Sequence, residues 1–428
     1  MGHVTSAGVY GRLRRKLDRH VVGMPDSPLA LAILRHLFGP DEAELASRLP
    51  LKFEPVHRLS RRLGIEEREL DERLMRMAER ALVFDIEKKG TRHYMLAPTV
   101  VGLFEFSMMR VRDDIDQKAV AELLDRYLTG DDAFARQAFE GSTQIGRALV
   151  DETVLEDHAR ILDYESATAV VRDAGRHAVG LCYCRHLRSH LGKSCDAPLE
   201  VCMSLGLGAD YAIRHGHARE VDVAEALDIL ARTSELGLVH IGDNVQRRLA
   251  YICSCCGCCC EMLGAIGSLH LAGAVVSSRW LPEPDETCKG CGRCARACPI
   301  GAISLEGRGG GRPLRAVVDA ETCIGCGVCV RRCRTGASSM VERDERVFVP
   351  ETTAKRVALM ALERGKLADF LLDADGPLPV RSLTALLSTL SSLPPVKRRM
   401  AESQLASRFV DVMLDGMRSP RMRWLSRL

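Results

Sequence analysis

The sequence predicts an α+β multidomain protein, and three observations carry that expectation. Apolar residues recur at helical spacing near both ends of the chain. Short strand-like runs bounded by glycine or proline lie between the helical stretches. All eighteen cysteines fall between residues 182 and 333, most of them one to three residues apart. Clustered thiols in a long chain point to metal binding rather than to a disulfide framework.

Composition sets the limits. The 428 residues suffice for two to four domains, and 46% apolar residues is an ordinary globular value. Aromatic residues are only 4%, so the cores are expected to be built from Leu, Val, Ala and Met. A net charge of +3 argues for neither nucleic acid nor a membrane surface. No apolar run reaches the roughly 18 residues of a membrane helix; the longest, residues 263–276, is broken by glycines and His270. Arg12, Arg14, Arg15 and Lys16 are not followed by an apolar stretch with a cleavage site, so no secretory signal is expected. A cytoplasmic, reducing location follows as the expectation.

Six regions follow along the chain. Residues 1–24 read as a basic arm. Residues 25–98 show helical periodicity at 29–38, 42–48, 56–63 and 67–81, with a turn at Gly64. Two strands at 82–86 and 93–96 then flank the turn Lys88-Lys89-Gly90. This order resembles the winged helix-turn-helix family, and a winged-helix-like domain is expected. Residues 99–165 read as a helical connector, 166–280 as a cysteine-rich α/β domain, and 281–346 as a separate small unit. Residues 347–428 read as a helical C-terminal region, broken at Gly376-Pro377 and Pro394-Pro395.

The unit at 281–346 carries Cys288-x-x-Cys291-x-x-Cys294-x-x-x-Cys298-Pro299 and Cys323-x-x-Cys326-x-x-Cys329-x-x-x-Cys333. This is the spacing of bacterial ferredoxins with two [4Fe–4S] clusters, in which the fourth cysteine of each run crosses to the other cluster. Cys288, Cys291, Cys294 and Cys333 are expected to hold the first cluster; Cys323, Cys326, Cys329 and Cys298 the second. Gly290, Gly292, Gly325 and Gly327 permit the tight backbone, and Ile300, Ile303 and Ile324 are expected to keep water out. Strands at 302–305 and 314–318 make the glycine-rich stretch from Gly307 to Arg312 a hairpin turn rather than a phosphate loop. Cys333 is followed by Arg334 where the first run has Pro299; a cation there would raise a cluster's potential if it were close and unsolvated. Arg331, Arg332 and Arg334 together read as a solvated basic face for an acidic partner.

Ten cysteines remain: Cys182, Cys184, Cys195 and Cys202, and then Cys253, Cys255, Cys256, Cys258, Cys259 and Cys260. All ten are candidate ligands for further iron–sulfur clusters, and not all are expected to bind. Two more cubanes would use eight of them and one would use four. Zinc is the alternative metal, although paired knuckles of Cys-x2–4-Cys suit it better than Cys-x-Cys. The run from Arg176 to Cys184 echoes the run from Arg247 to Cys255: basic residues, an apolar strand, then Cys-x-Cys. Two related strand–loop–helix units would bring both pairs to one edge of a small sheet. A helix starting near Gly257 would put Cys256, Cys259 and Cys260 on one face and turn Cys258 away. His186, His190 and His240 lie nearby and are assigned no role.

The motifs Cys182-Tyr-Cys184-Arg185, Asp196-Ala-Pro-Leu-Glu-Val-Cys202, Gly237-Leu-Val-His240 and Ile252-Cys-Ser-Cys-Cys-Gly-Cys-Cys-Cys260, ahead of a dicluster ferredoxin, resemble a prokaryotic family of 4Fe–4S dicluster ferredoxin-type proteins. The resemblance spans residues 25–370 and identifies no catalytic residue. The expected function is one-electron transfer, as a subunit or partner of a larger oxidoreductase. The alternatives are a redox- or iron-sensing winged-helix regulator and a thiol- or disulfide-active iron–sulfur enzyme. The stretch Glu66-Glu67-Arg68-Glu69-Leu70-Asp71-Glu72-Arg73 is too acidic at its start for a helix that reads DNA, so protein partners are expected over DNA. No flavin or nicotinamide site is read from the sequence, and no membrane span.

Overall fold

The computed structural model describes residues 6–130, 132–155, 162–307, 314–345 and 347–366. The chain divides into two compact units: residues 1–107, 112–143 and 353–428 form one, and residues 108–111 and 144–352 the other.

The first unit opens with α1 (Ser6–Asp18), α2 (Pro28–Leu37) and α3 (Pro40–Ser47). The expected basic arm is therefore largely a helix. Its arginines alternate with Val9, Tyr10, Leu13 and Leu17, which are buried; the charged pattern hid a helical one. Ser27 starts α2 by accepting a hydrogen bond from the Leu29 N–H at 3.1 Å, with Pro28 in the first turn. A short strand β1 (Glu54–Pro55) precedes α4 (Val56–Leu63) and α5 (Glu67–Glu79). Then β2 (Val83–Lys88) and β3 (Thr91–Leu96) form a hairpin, giving a three-stranded sheet in the order β1-β3-β2. The expected helices and strands of residues 25–98 thus form with bounds close to those read from periodicity. Three helices follow: α6 (Phe104–Met108), α7 (Gln117–Thr129) and α8 (Asp132–Phe139).

The second unit is built on a six-stranded sheet. Its elements in order are β4 (Gly146–Ala148), α9 (Ala167–Asp173), β5 (His177–Leu181), α10 (Tyr183–His190), β6 (Glu200–Leu205), α11 (Leu207–Arg214), β7 (Arg219–Val221), α12 (Val223–Glu235), β8 (Val239–Asp243), β9 (Tyr251–Cys255) and α13 (Glu261–Gly267). The strand order is β4-β8-β9-β6-β5-β7, and neighbours run antiparallel. Strand β4 comes from the stretch expected to be helical connector; three residues are too few to show an alternating pattern.

One face of this sheet packs against α9 and α12. Val201, Met203 and Leu205 of β6 and Ile252 of β9 join Val170, Val171, Ile229 and Leu230 in one buried cluster. Each such side chain contributes roughly 1.5–3 kcal/mol by leaving water. Side chains on a strand alternate between faces. Cys202 therefore points away from that core, and so do Cys253 and Cys255. The core residues on the odd positions of β6 decide where the cysteine goes.

The cluster-motif segment continues the same unit with β10 (Trp280–Pro284), α14 (Arg293–Ala297), β11 (Ile303–Gly307), β12 (Leu314–Val318), α15 (Val328–Arg331) and β13 (Ser338–Glu342). Strand β10 pairs with β13, and β11 pairs with β12 in the register Ile303 to Val318. The expected hairpin forms, and its tip at 308–313 lies outside the described residues. The chain then returns to the first unit as α16 (Thr353–Glu363). The breaks expected at 376–377 and 394–395 lie outside the described residues.

Candidate metal centres

The two ferredoxin-spaced runs fold as short loops that each end in a brief helix. Gly290, Gly292, Gly325 and Gly327 all have φ between 62° and 84°, the left-handed geometry read from the sequence. The Gly325 N–H lies 3.4 Å from Cys323 Sγ, and the Ala302 N–H lies 3.2 Å from Cys298 Sγ. Such donors favour electron-rich sulfur. Ile300, Ile303 and Ile324 are buried, as expected. Ile303 and Ala316 pack with Cys288, Cys294, Cys298 and Cys329, so one apolar wall serves sulfurs of both runs.

Cys298 acts on Cys323, Cys326 and Cys329, and Cys294 of the same run also acts on Cys329. Cys294 acts with Cys288 and Cys291. Burial pushes the Cys326 thiol up to about 12. A thiol so reluctant to ionise gives up its proton to a metal rather than to water.

Sulfur geometry splits the other ten cysteines into two sets. Cys182, Cys184, Cys202, Cys253, Cys255 and Cys260 form the first. Cys184 donates to Cys182 and Cys260, Cys255 donates to Cys260 and Cys253, and Cys202 donates to Cys253. Strands β5 and β9 are both antiparallel to the intervening β6. They therefore run in the same direction and end on the same side. The expected echo brings the two Cys-x-Cys pairs together in this way. The place differs from the expectation: these are interior strands of a six-stranded sheet, not its edge.

Two of these cysteines sit where a helix begins. Cys182 precedes α10 and Cys260 precedes α13. Cys182 is held below the ordinary thiol range, first by the hydrogen bond from Cys184 and then by Arg185. Cys260 is held well below it by hydrogen bonds from Cys184 and Cys255, with help from the Met262 and Leu263 N–H groups. Free N–H groups at a helix start stabilise a thiolate. The Tyr183 hydroxyl donates to the Glu261 carboxylate at 3.0–3.1 Å and ties the two helix starts together.

The second set is Cys195, Cys256, Cys258 and Cys259, whose sulfurs all lie within 4.8 Å of one another. The helix expected from Gly257 begins only at Glu261. Residues 256–260 form a turn instead, closed by the Cys260 N–H on the Cys256 carbonyl at 3.3 Å. This corrects the face argument. Cys258 joins Cys256 and Cys259, and Cys260 goes to the other set.

Sequence reasoning quoted Arg185 and gave it no role. Its side chain is fully buried, the largest such side chain among the described residues. It donates to the Pro198 and Ser254 carbonyls, and its Nε–H has no hydrogen-bond partner. Its charge acts on Cys182 and Cys255 of one set and on Cys256 and Cys195 of the other. The only signal in the sequence was an arginine directly after Cys-x-Cys. His240 is buried with its Nε2 3.0 Å from the Thr233 hydroxyl, and burial lowers it to about 4. His186 Nδ1 meets the Met108 carbonyl at 2.7 Å. Both have partners within the fold.

Of the three arginines expected on a solvated basic face, Arg332 and Arg334 are exposed and Arg331 is half-buried. Arg331 pairs with Asp151 at 2.5 and 2.9 Å, and Arg332 donates to the Glu235 carbonyl at 3.0 Å. The Asp151 N–H in turn donates to the Cys326 carbonyl at 3.1 Å. Only Arg334 is left exposed without such a bond, where solvent screens its charge. Burial alone would raise Asp151, but Arg331 and the Thr153 hydroxyl outweigh it and hold the carboxyl below its usual range. The stabilisation is therefore complete above the ordinary aspartate range and fades as pH falls below it. Asp151→Ala is expected to cost about 2 kcal/mol, a charged hydrogen-bonded pair. Denaturant unfolding of the anaerobic protein measures it, and a loss under a few tenths would show that the pair is idle.

No helix among the described residues is long and apolar enough to cross a membrane. No curated protein and no solved structure matches the chain. Residues 287–337 match the family model of the 4Fe-4S dicluster domain, the segment that spans both ferredoxin-spaced runs.

Proposed function

We propose that this protein is an iron–sulfur electron carrier that serves a larger oxidoreductase, with a relay that runs from a dicluster ferredoxin segment into a cysteine-rich sheet. Cys288, Cys291, Cys294 and Cys333 hold one cubane; Cys323, Cys326, Cys329 and Cys298 hold the other. A further iron–sulfur cluster takes its ligands from Cys182, Cys184, Cys202, Cys253, Cys255 and Cys260.

One contact carries the reading. Gly257, in the turn between Cys256 and Cys260, lies directly on Pro299, the residue after Cys298. A Cβ at position 257 would fall 2.4 Å from the Pro299 carbonyl oxygen and 3.0 Å from its Cα. The backbone just past Cys298 thus meets, with no side chain between them, the turn that carries Cys256, Cys258 and Cys259 and leads into Cys260 of the six-thiol set. A glycine here is a requirement of that approach, not of the turn.

Gly257→Val tests the relay. The added side chain wedges the two backbones apart, at about 1–3 kcal/mol of stability. With cluster content unchanged, electrons delivered to the ferredoxin clusters are expected to reach the cysteine-rich domain more slowly in rapid-mixing experiments followed by electron paramagnetic resonance. Equilibration at the wild-type rate would remove the relay from the reading.

The fold of residues 25–98 supports a winged-helix reading, with α5 as the helix that would face a duplex. Two of its three arginines are occupied: Arg68 pairs with Glu72 at 3.0 Å and Arg73 with Glu69 at 3.5 Å. Arg92 on the hairpin pairs with Asp71 at 2.5 Å. Phosphates would have to displace carboxylates from each. This favours a protein partner for the segment over DNA.

A further inference from the structure

The geometry points to a mononuclear zinc site formed by Cys195, Cys256, Cys258 and Cys259, separate from every cluster proposed above. Four thiolates on a single tetrahedral ion at about 2.3 Å lie roughly 3.8 Å apart, since a tetrahedron's edge is about 1.63 times its radius. Three of the quartet's six sulfur pairs stand at that spacing, and all four sulfurs lie within 4.8 Å of one another. Cys195 Sγ and Cys256 Sγ are 3.7 Å apart, Cys258 Sγ and Cys259 Sγ 3.7 Å, and Cys259 Sγ and Cys195 Sγ 3.8 Å. A cubane spreads its thiolates over four different metals, so its sulfurs must stand further apart than this.

The ferredoxin-spaced runs supply the comparison within one chain. Among the described residues, the quartet is the group of three or more ligand side chains close enough together to hold one metal ion, and neither the ferredoxin-spaced runs nor the six-thiol set forms such a group. The quartet alone is drawn in to the size of one ion.

The surroundings fit a structural zinc. Backbone N–H groups of Ala197, Cys195 and Cys259 point at the sulfurs of Cys195, Cys259 and Cys256. Such donors orient thiolate ligands and spread their charge. A tetrathiolate around a divalent ion carries two negative charges, and the buried Arg185 guanidinium lies beside it to offset them. Closed four-cysteine sites are the mark of structural zinc. Three ligands come from one short turn, and Cys195 comes from the irregular stretch between α10 and β6. One ion would pin that stretch onto the turn that meets Pro299. Metal binding releases the thiol protons and leaves zinc with no redox chemistry, so the site fastens the relay and carries no electron.

The test uses the full chain, purified without oxygen from medium that contains both metals. Wild type is expected to hold one zinc, and Cys258→Ser/Cys259→Ser is expected to lose it with iron and sulfide unchanged. Loss of about four irons and four sulfides with zinc unaltered would overturn the site, and so would wild-type protein without zinc. If the double variant does not fold, zinc-edge X-ray absorption on wild type decides: four sulfur neighbours at about 2.3 Å support the site, and nitrogen or oxygen neighbours overturn it. The relay stands or falls separately, on the Gly257→Val kinetics.

Discussion

Arg185→Met is expected to lower the midpoint potential of the proposed six-thiol cluster by on the order of 100 mV and to leave the two ferredoxin clusters within a few tens of millivolts of wild type. The reason is charge in a dry place. Reduction adds one negative charge to a cluster, and a nearby buried cation stabilises that charge. For two unit charges several ångströms apart in an effective dielectric near 20, the interaction is on the order of 2 kcal/mol, which is on the order of 100 mV for one electron. Arg185 has no exposed surface, and its charge acts directly on Cys182 and Cys255. Methionine keeps much of the packing and removes the cation and its bonds to the Pro198 and Ser254 carbonyls. Some stability is lost as well, since both carbonyls are left without that donor. The potential separates the two effects: a purely structural arginine would change unfolding without moving the titration. Spectroscopic redox titration of the full chain is the measurement, and an unshifted third midpoint would end the electrostatic role.

Cys298→Ala removes the second cubane and leaves the first. The variant is expected to lose about four irons and four sulfides per chain. Electrons from an external donor should then stop short of the cysteine-rich domain, because Pro299, the neighbour of the lost ligand, is the point of contact with Gly257. A cysteine that served the first cluster instead would leave Cys323, Cys326 and Cys329 with their cluster intact. Iron and sulfide analysis with electron paramagnetic resonance distinguishes these results. Loss of the cluster carried by Cys288, Cys291 and Cys294 would refute the crossed assignment.

Much of the cluster-motif segment was legible because its chemistry is local. Cys-x-x-Cys-x-x-Cys wraps one cluster within seven residues, and the glycines at 290, 292, 325 and 327 adopt positive φ wherever the run is read. The helices and hairpin of residues 25–98 were legible for a similar reason: each is set by periodicity and by turn residues within a short window. The basic arm was misread because four basic residues in α1 drew attention from Leu13 and Leu17, which are fully buried. The six-stranded sheet was only half visible. Its pairings join residues far apart in the chain, and β4 and β7 are each three residues long.

By itself the sequence determined that this chain binds metal through thiols, that eight of its cysteines have dicluster spacing, and that a second group of ten precedes them. Only the tertiary structure decided how those ten divide. Cys256, Cys258, Cys259 and Cys260 are adjacent in the chain, yet the first three close on Cys195 and the fourth closes on Cys184 and Cys255. Sequence distance cannot predict this, because α13 begins at Glu261 and turns Cys260 to a different neighbour. The role of Arg185 was likewise hidden. A buried cation gains its meaning from the thiolates around it, and these arrive from the end of β5, from β9 and from two loops that only the fold brings together.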